Sequence, residues 1–240
     1  VRDIRGDLAP EILAKFDREM AETFDLCDVV VCPSNFHRDR MVEFGLKKDR
    51  VVAIPHGLDH SKFNYRRNPR DPVRVIGFIG TVIPTKGVHV LIDAFRLLNE
   101  SGVELQIHGD TPSFHEKTSY LYELKSLAMG VADPVRFFGH YDHDDVARIL
   151  STIDILVVPS LWWETFCLTI REATCAGVPV VASDIGAMRE AIENHRSGLC
   201  FRTGDATDLA RVLARLIRDP NLRASLAGRR HEVKSIEINA

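Results

Sequence analysis

No run of the 240-residue chain approaches the roughly 20 apolar residues needed to span a bilayer, and the charged N-terminus is unlike a signal peptide. Cysteine is scarce and odd in number. Cys27, Cys32, Cys167, Cys175 and Cys200 contain no C-x-x-C pair, which argues against a disulfide scaffold and for a reduced cytoplasm, with the thiols as core fillers. A basic excess is missing as well: the net charge is −3, so the electrostatic footprint of a nucleic-acid binder is absent. The local run Tyr65-Arg66-Arg67-Asn68-Pro69-Arg70 reads as a solvated linker. Neither a repeat of fixed period nor a low-complexity tract is visible. What is there, with 45% hydrophobic and 27% charged residues, is a soluble globular composition. Its length allows one full domain and part of another, domains being commonly about 100–150 residues.

From Val73 onward short β-branched runs alternate with amphipathic stretches. Strands are expected at Arg74 to Ile79, Glu104 to His108, Val135 to Phe138, Ile153 to Val158, Val178 to Ala182 and Gly198 to Phe201. Helices are expected near Gly87 to Leu98, Glu116 to Met129, Asp144 to Leu150, Leu168 to Cys175, Ala187 to Glu193 and Ala206 to Arg218. Such alternation predicts an α/β fold, a doubly wound parallel sheet covered on both faces. Upstream lie a helix near Pro10 to Leu26, a strand Val29 to Cys32, a helix capped by Ser34 and a strand Val51 to Ile54. Two strands do not make a covered sheet. Residues 1–55 therefore read as the remnant of a preceding α/β domain, 56–72 as a linker and 73–240 as the main domain.

Glu164 and Glu172 stand with seven residues between them, after an apolar strand and before a helix. That places them at the carboxyl edge of the sheet, where open α/β folds bind ligands. In a helix starting near Cys167, Glu172 lies in the second turn and Glu164 stays in the preceding loop. Between them the first-turn N–H groups suit an anion, and carboxylates accept from hydroxyls. A ligand with hydroxyls at both ends and negative charge in the middle fits, and a sugar nucleotide has that layout.

Several motifs occur together in order: Val31-Cys32-Pro33-Ser34, Ile54-Pro55-His56-Gly57-Leu58-Asp59, Gly80-Thr81-Val82-Ile83-Pro84-Thr85-Lys86-Gly87, Phe138-Gly139-His140, Val158-Pro159-Ser160 through Glu172, and Gly177-Val178-Pro179-Val180-Val181-Ala182. In that order and spacing the chain resembles the retaining glycosyltransferases of the GT-B fold, family four (group 1), from about Asp28 to Gly228, with the two glutamates as the EX7E motif. The resemblance implies a Rossmann-like donor domain over 73–240 and a piece of the acceptor domain before it. It implies Glu172 as the acid holding the ribose hydroxyls and Glu164 as the catalytic acid beside the transferred sugar. Phe166, Cys167, Leu168 and Thr169 would offer backbone amides to the sugar and diphosphate, and Lys86 would supply cationic charge to the leaving phosphate. Gly80 and Thr81 belong to the first donor loop, Gly109 to the end of the second strand, and Phe138, Gly139 and His140 to the loop facing the nucleobase. Lys86 and a helix N-terminus together would stand in for a metal, so no cofactor and no metal are expected.

Two positions depart from the family pattern. Thr81 stands where many members carry a phosphate-binding Arg, and Cys167 where Gly is common, so that its Cβ restricts the backbone. The acceptor half, with its Gly-rich loop and catalytic His, is absent, so this chain is expected to bind donor and transfer little alone. Its partners would be a nucleotide-sugar donor, a glycan, lipid-linked or small-molecule acceptor, and the missing acceptor domain. A cytoplasmic setting, with peripheral contact at the inner face of the membrane, follows from the family. Rival expectations are a sugar-nucleotide 2-epimerase and a non-catalytic nucleotide-sugar-binding module.

Other features have plainer explanations. Lys86 beside a helix start is ill-suited to the dipole there, and a nearby anionic ligand would explain it. Trp162 and Trp163 are either a buried loop anchor, the favoured reading, or one wall of the sugar pocket. His140, Asp142, His143, Asp144 and Asp145 contain metal-ligand types, but Asp142 or Asp144 is expected to cap the next helix, with His143 exposed.

Overall fold

The computed structural model describes residues 10–63, 68–98, 100–112, 120–229 and 233–236. It divides into two compact units, Val1–His56 and Gly57–Ala240. The first holds α1 (Pro10–Asp25), β1 (Val30–Cys32), α2 (Asn35–Glu43) and β2 (Val51–Ala53). Ser34 caps α2 by accepting from the His37 N–H at 3.0 Å, as its residue type predicts. β1 and β2 pair in parallel, and Val31 within β1 and Ile54 just after β2 stay exposed, as do Ile12 and Phe16 of α1.

The second unit is a six-stranded parallel sheet. Its strands are β3 (Val75–Ile79), β4 (Glu104–His108), β5 (Val135–Gly139), β6 (Ile155–Val158), β7 (Val180–Ser183) and β8 (Gly198–Phe201). They lie in the order β5-β4-β3-β6-β7-β8. The connecting helices are α3 (Val88–Leu98), α4 (Tyr120–Ala128), α5 (Val146–Leu150), α6 (Leu168–Ala176), α7 (Gly186–His195) and α8 (Ala206–Arg218). The expected start of α4 at Glu116 falls in 113–119, outside the described residues, as does the first half of the basic run, 65–67. Alternation along the strands feeds two cores. Ile155 and Val157 of β6 join Leu91, Phe95, Leu105, Leu209 and Leu213 on one face, while Leu156 and Val158 join Ile149, Leu150, Ile170, Ala173 and Met188 on the other. Both faces of β6 are covered, which is why its four residues are all apolar.

One helix was not foreseen. α9 (Pro220–Ala227) follows α8 through Asp219, whose carboxylate accepts from the Leu222 N–H. Its Arg223 is buried and donates to the carbonyls of Leu216, Ile217, Pro69 and Asp71. The segment read as a linker is thereby tied to the second unit, and Phe63 is buried in its core while Leu58 pairs with residues 234–236. The cysteine expectation needs correction: Cys32 and Cys175 are buried, but Cys27 is exposed and Cys167 and Cys200 are half-buried.

The strand order reverses between β3 and β6, since chain order runs outward from β3 one way and from β6 the other. Ligands of such sheets bind outside the carboxyl ends at that point. Gly87, at φ 70°, lets the turn after β3 approach the loop after β6: a Cβ there would lie 2.0 Å from the Pro159 carbonyl oxygen. Gly87→Ala should therefore lower stability by about 3 kcal/mol, through left-handed strain plus backbone displacement. A shift of the urea midpoint would measure this, and an unchanged midpoint would contradict it.

Candidate active site

Backbone hydrogen bonds lace the loops at the carboxyl edge together in the order of the strands. The Gly109 N–H donates to the Gly139 carbonyl, the Gly80 N–H to His108, the Val82 N–H to Asp110 and the Leu161 N–H to Thr85, at 2.7–3.0 Å. Gly80 and Gly109 have φ of 150° and 149°, and a Cβ on Gly109 would stand 1.8 Å from the Gly80 carbonyl oxygen. Gly109 thus serves close approach of backbone to backbone. Thr81 is exposed beside them.

At the switch point Lys86 Nζ donates to Glu164 Oε1 at 2.7 Å. Ser160, itself 1% exposed, donates its hydroxyl to the same oxygen at 2.8 Å. Lys86 ends a 3-10 turn (Pro84–Lys86), with Gly87 separating it from α3. The anion that explains a lysine at this place is, in the free chain, the carboxylate of Glu164. Two donors on one oxygen hold that side chain at the mouth of the loop and leave Oε2 for other contacts.

α6 begins at Leu168, and Cys167 precedes it at φ 56°, ψ 74° with no side-chain cap. The first four N–H groups of a helix lack intrahelical acceptors, so this start offers donors. Phe166 is buried, Leu168 exposed and Thr169 half-buried. Glu172, in the second turn, is 5% exposed. Burial raises its carboxyl above the ordinary carboxylate range, and the neighbouring His143 opposes that shift. Among the described residues the only ion-pair or hydrogen-bond partner of the Glu172 carboxylate is His143, with Nε2 at 3.7 Å. Glu164 thus faces the turn after β3, and Glu172 faces the turn after β5.

Phe138 and Gly139, expected in the loop facing the base, are the last two residues of β5; Phe138 lies half exposed and stacks on His108, with centroids 4.3 Å apart and planes 9° from parallel. Burial pushes the His108 imidazole down to about 4, so this ring is neutral at physiological pH. Gly139 turns at φ 73°. His140 Nδ1 meets Asp110 at 2.7 Å, which raises its pKa; Asp142 adds to this from 3.5 Å.

Two expectations are corrected here. Trp162 and Trp163 are about half exposed and lean on each other at 5.9 Å, so they are no buried anchor. Neither Asp142 nor Asp144 caps a helix with its side chain. The reason is competition: Asp142 lies beside His140, and Asp144 accepts from Lys62 Nζ at 2.9 Å. His143 is exposed as expected, but it sits over Glu172. Among the described residues no group of three or more His, Cys, Asp or Glu is arranged to hold a metal ion.

The family model described as "Glycosyl transferases group 1" matches residues 61–231, well over half of the chain. The chain belongs to the group 1 glycosyltransferase family. A second model, "Glycosyltransferase Family 4", matches residues 6–62. Among its relatives is a D-inositol 3-phosphate glycosyltransferase of Salinispora arenicola, 32% identical over 92% of this chain and 52% of that protein. A glycogen synthase of Mycobacterium tuberculosis is 28% identical over 80% of the chain and 46% of its own length. The chain spans about half the length of these curated relatives. Its fold is that of HepE from Anabaena, solved with UDP and glucose, at TM-score 0.82 and 22% identity over 99% of this chain and 67% of that one. Sucrose-phosphate synthase of Thermosynechococcus elongatus matches at TM-score 0.81 and 22% identity, covering 99% and 61%. The chain therefore has the fold of the GT-B glycosyltransferases. No helix among the described residues is long and apolar enough to cross a membrane.

Sequence reasoning gave no role to Ser160, His143 or Arg171. Ser160 and Glu164 are four residues apart in one loop, a spacing that could have suggested their bond. Arg171 is a charged residue set among the apolar positions of α6, and that misfit was the available signal. Nothing in the sequence brings His143 to Glu172, since only the fold joins the turn after β5 to α6.

Proposed function

We propose that this chain is the donor-binding half of a retaining glycosyltransferase that moves a hexosyl group from a nucleotide sugar to a glycan, lipid-linked or small-molecule acceptor. The observation that carries this is Glu172. A carboxylate buried in the second turn of α6, with one exposed imidazole as its partner among the described residues, costs stability. Buried acids of this kind cluster at functional sites. A ribose diol donating two hydroxyl groups would satisfy it. From there the diphosphate would cross the start of α6, and the sugar would lie by Glu164.

Lys86 would exchange its carboxylate partner for the diphosphate, supplying charge as the leaving group departs, with the helix start in place of a metal. That exchange would release Glu164 to orient sugar hydroxyls and stabilise positive charge at the anomeric carbon. Phe138, Gly139 and His140 would border the base, and the similar HepE, solved with UDP and glucose, supports a nucleotide ligand. The acceptor and its binding residues would come from the half of the relatives' length that this chain does not span, so the chain alone would bind donor but transfer little. A cytoplasmic enzyme at the inner membrane face would suit a lipid-linked acceptor.

Thermal-shift screening against UDP-, GDP- and ADP-sugars should show selective stabilisation by one donor, since a ligand of the native state raises stability by mass action. With that donor and a chain carrying both halves, a new glycoside is the expected product. An altered free sugar nucleotide would indicate an epimerase instead, and no product would leave a binding module.

A further inference from the structure

Only two non-glycine residues among those described have positive φ: Arg196 and Cys167. Arg196 closes α7, where a left-handed residue is an ordinary helix end. Cys167 opens α6, where the residue before a helix is normally extended, so helix geometry does not account for its conformation. A left-handed non-glycine residue costs on the order of 1–2 kcal/mol and persists only where its surroundings impose it. One turn along, Arg171 is 4% exposed. Its Nη1 donates to the Phe166 carbonyl and, at 3.3 Å, to the Cys167 carbonyl, while the guanidinium lies 3.6 Å over the Phe166 ring. None of these partners is a carboxylate. Burial lowers its pKa to about 10, which still leaves it charged at neutral pH.

A trans peptide points its C=O and N–H in opposite directions. Carbonyls of residues 166 and 167 drawn inward to one cation therefore turn the N–H groups of Cys167 and Leu168 away from it. We propose that Arg171 is a positioning residue for the donor, a buried clamp that holds Cys167 left-handed and keeps those two N–H groups aimed at the diphosphate. This rests on the donor-binding function proposed above. It explains why a cysteine is tolerated here: the clamp imposes from behind the conformation that glycine would adopt freely.

The test is calorimetry on the chain with UDP, GDP and ADP, each compared with its monophosphate. Wild type, Arg171→Met, Arg171→Lys, and each substitution combined with Cys167→Gly are measured. Arg171→Met should weaken the best diphosphate by about tenfold, the effect of one charge-supported contact, while the monophosphate changes little. Arg171→Lys should fall between, and Cys167→Gly should restore most of the loss in either background. A merely structural role would weaken both nucleotides alike and gain nothing from glycine. Should Arg171→Met not fold, the Lys pair carries the same comparison. An unchanged ratio of diphosphate to monophosphate affinity in the arginine variants overturns the clamp alone. Failure of wild type to bind any diphosphate overturns the donor site and the clamp with it.

Discussion

Glu172→Gln is expected to raise the melting temperature of the ligand-free chain at neutral pH while removing about 100-fold of its affinity for a nucleoside diphosphate. The two effects share one cause. Burial raises the Glu172 carboxyl pKa, so between its unfolded and folded values the folded chain holds the additional proton. The stability gained from that proton is fully present in acid, below the unfolded value, and is lost as pH rises through the folded one. At neutral pH the ionised form is a liability that glutamine removes. The gain should amount to about 2 °C for a protein of this size and vanish below about pH 4, where an unfolded glutamate also protonates. The affinity loss follows because the amide accepts less strongly than a carboxylate and its NH2 group confronts a donating diol. Hydrogen bonds to a charged group contribute about 1.5–3 kcal/mol each. Melting curves from pH 4 to 8, with and without nucleotide, read both effects. A variant less stable than wild type at neutral pH, with nucleotide affinity intact, would contradict the assignment.

Glu164→Gln is the second large effect, and it separates binding from chemistry. In a chain carrying both halves, turnover should fall by about 100–1,000-fold, the scale of losing a pre-aligned electrostatic group. Diphosphate affinity should hold or tighten, because Lys86, now paired with Glu164 at 2.7 Å, is released to the phosphates. Lys86→Ala should do the reverse to binding, weakening the diphosphate by about tenfold through loss of a charge-assisted contact. Parallel measurement of kcat and of the nucleotide Kd distinguishes the two. A fall in affinity for Glu164→Gln equal to that for Lys86→Ala would mean the ion pair is a structural prop.

Much of the fold was legible because its signals are periodic. The six strands of the main sheet were readable as short runs set between amphipathic stretches, and β4 and β8 have the expected bounds. The strand starting at Ile153 begins at Ile155 in the structure, because Ser151, Thr152 and Ile153 close the turns that end α5. α9 was not legible: it is short, and its buried Arg223 stands where an amphipathic pattern would carry an apolar residue. Residue type alone misjudged Trp162 and Trp163, since an average tendency to burial cannot say which loops lie outside the core. It also misjudged Asp142 and Asp144, whose carboxylates found His140 and Lys62, partners distant in sequence or on another turn. Glu164 and Glu172 were picked out by spacing, yet what holds each one was not. Lys86 is 78 residues away from Glu164, and His143 meets Glu172 only through the fold.

The central claim is that a nucleotide sugar lies over the start of α6 with its ribose on Glu172. Calorimetric titration of wild type and Glu172→Ala with UDP, GDP and ADP tests it most directly. Binding of one of them by wild type and no measurable heat from the variant is the predicted result; equal affinities for the two proteins would contradict it.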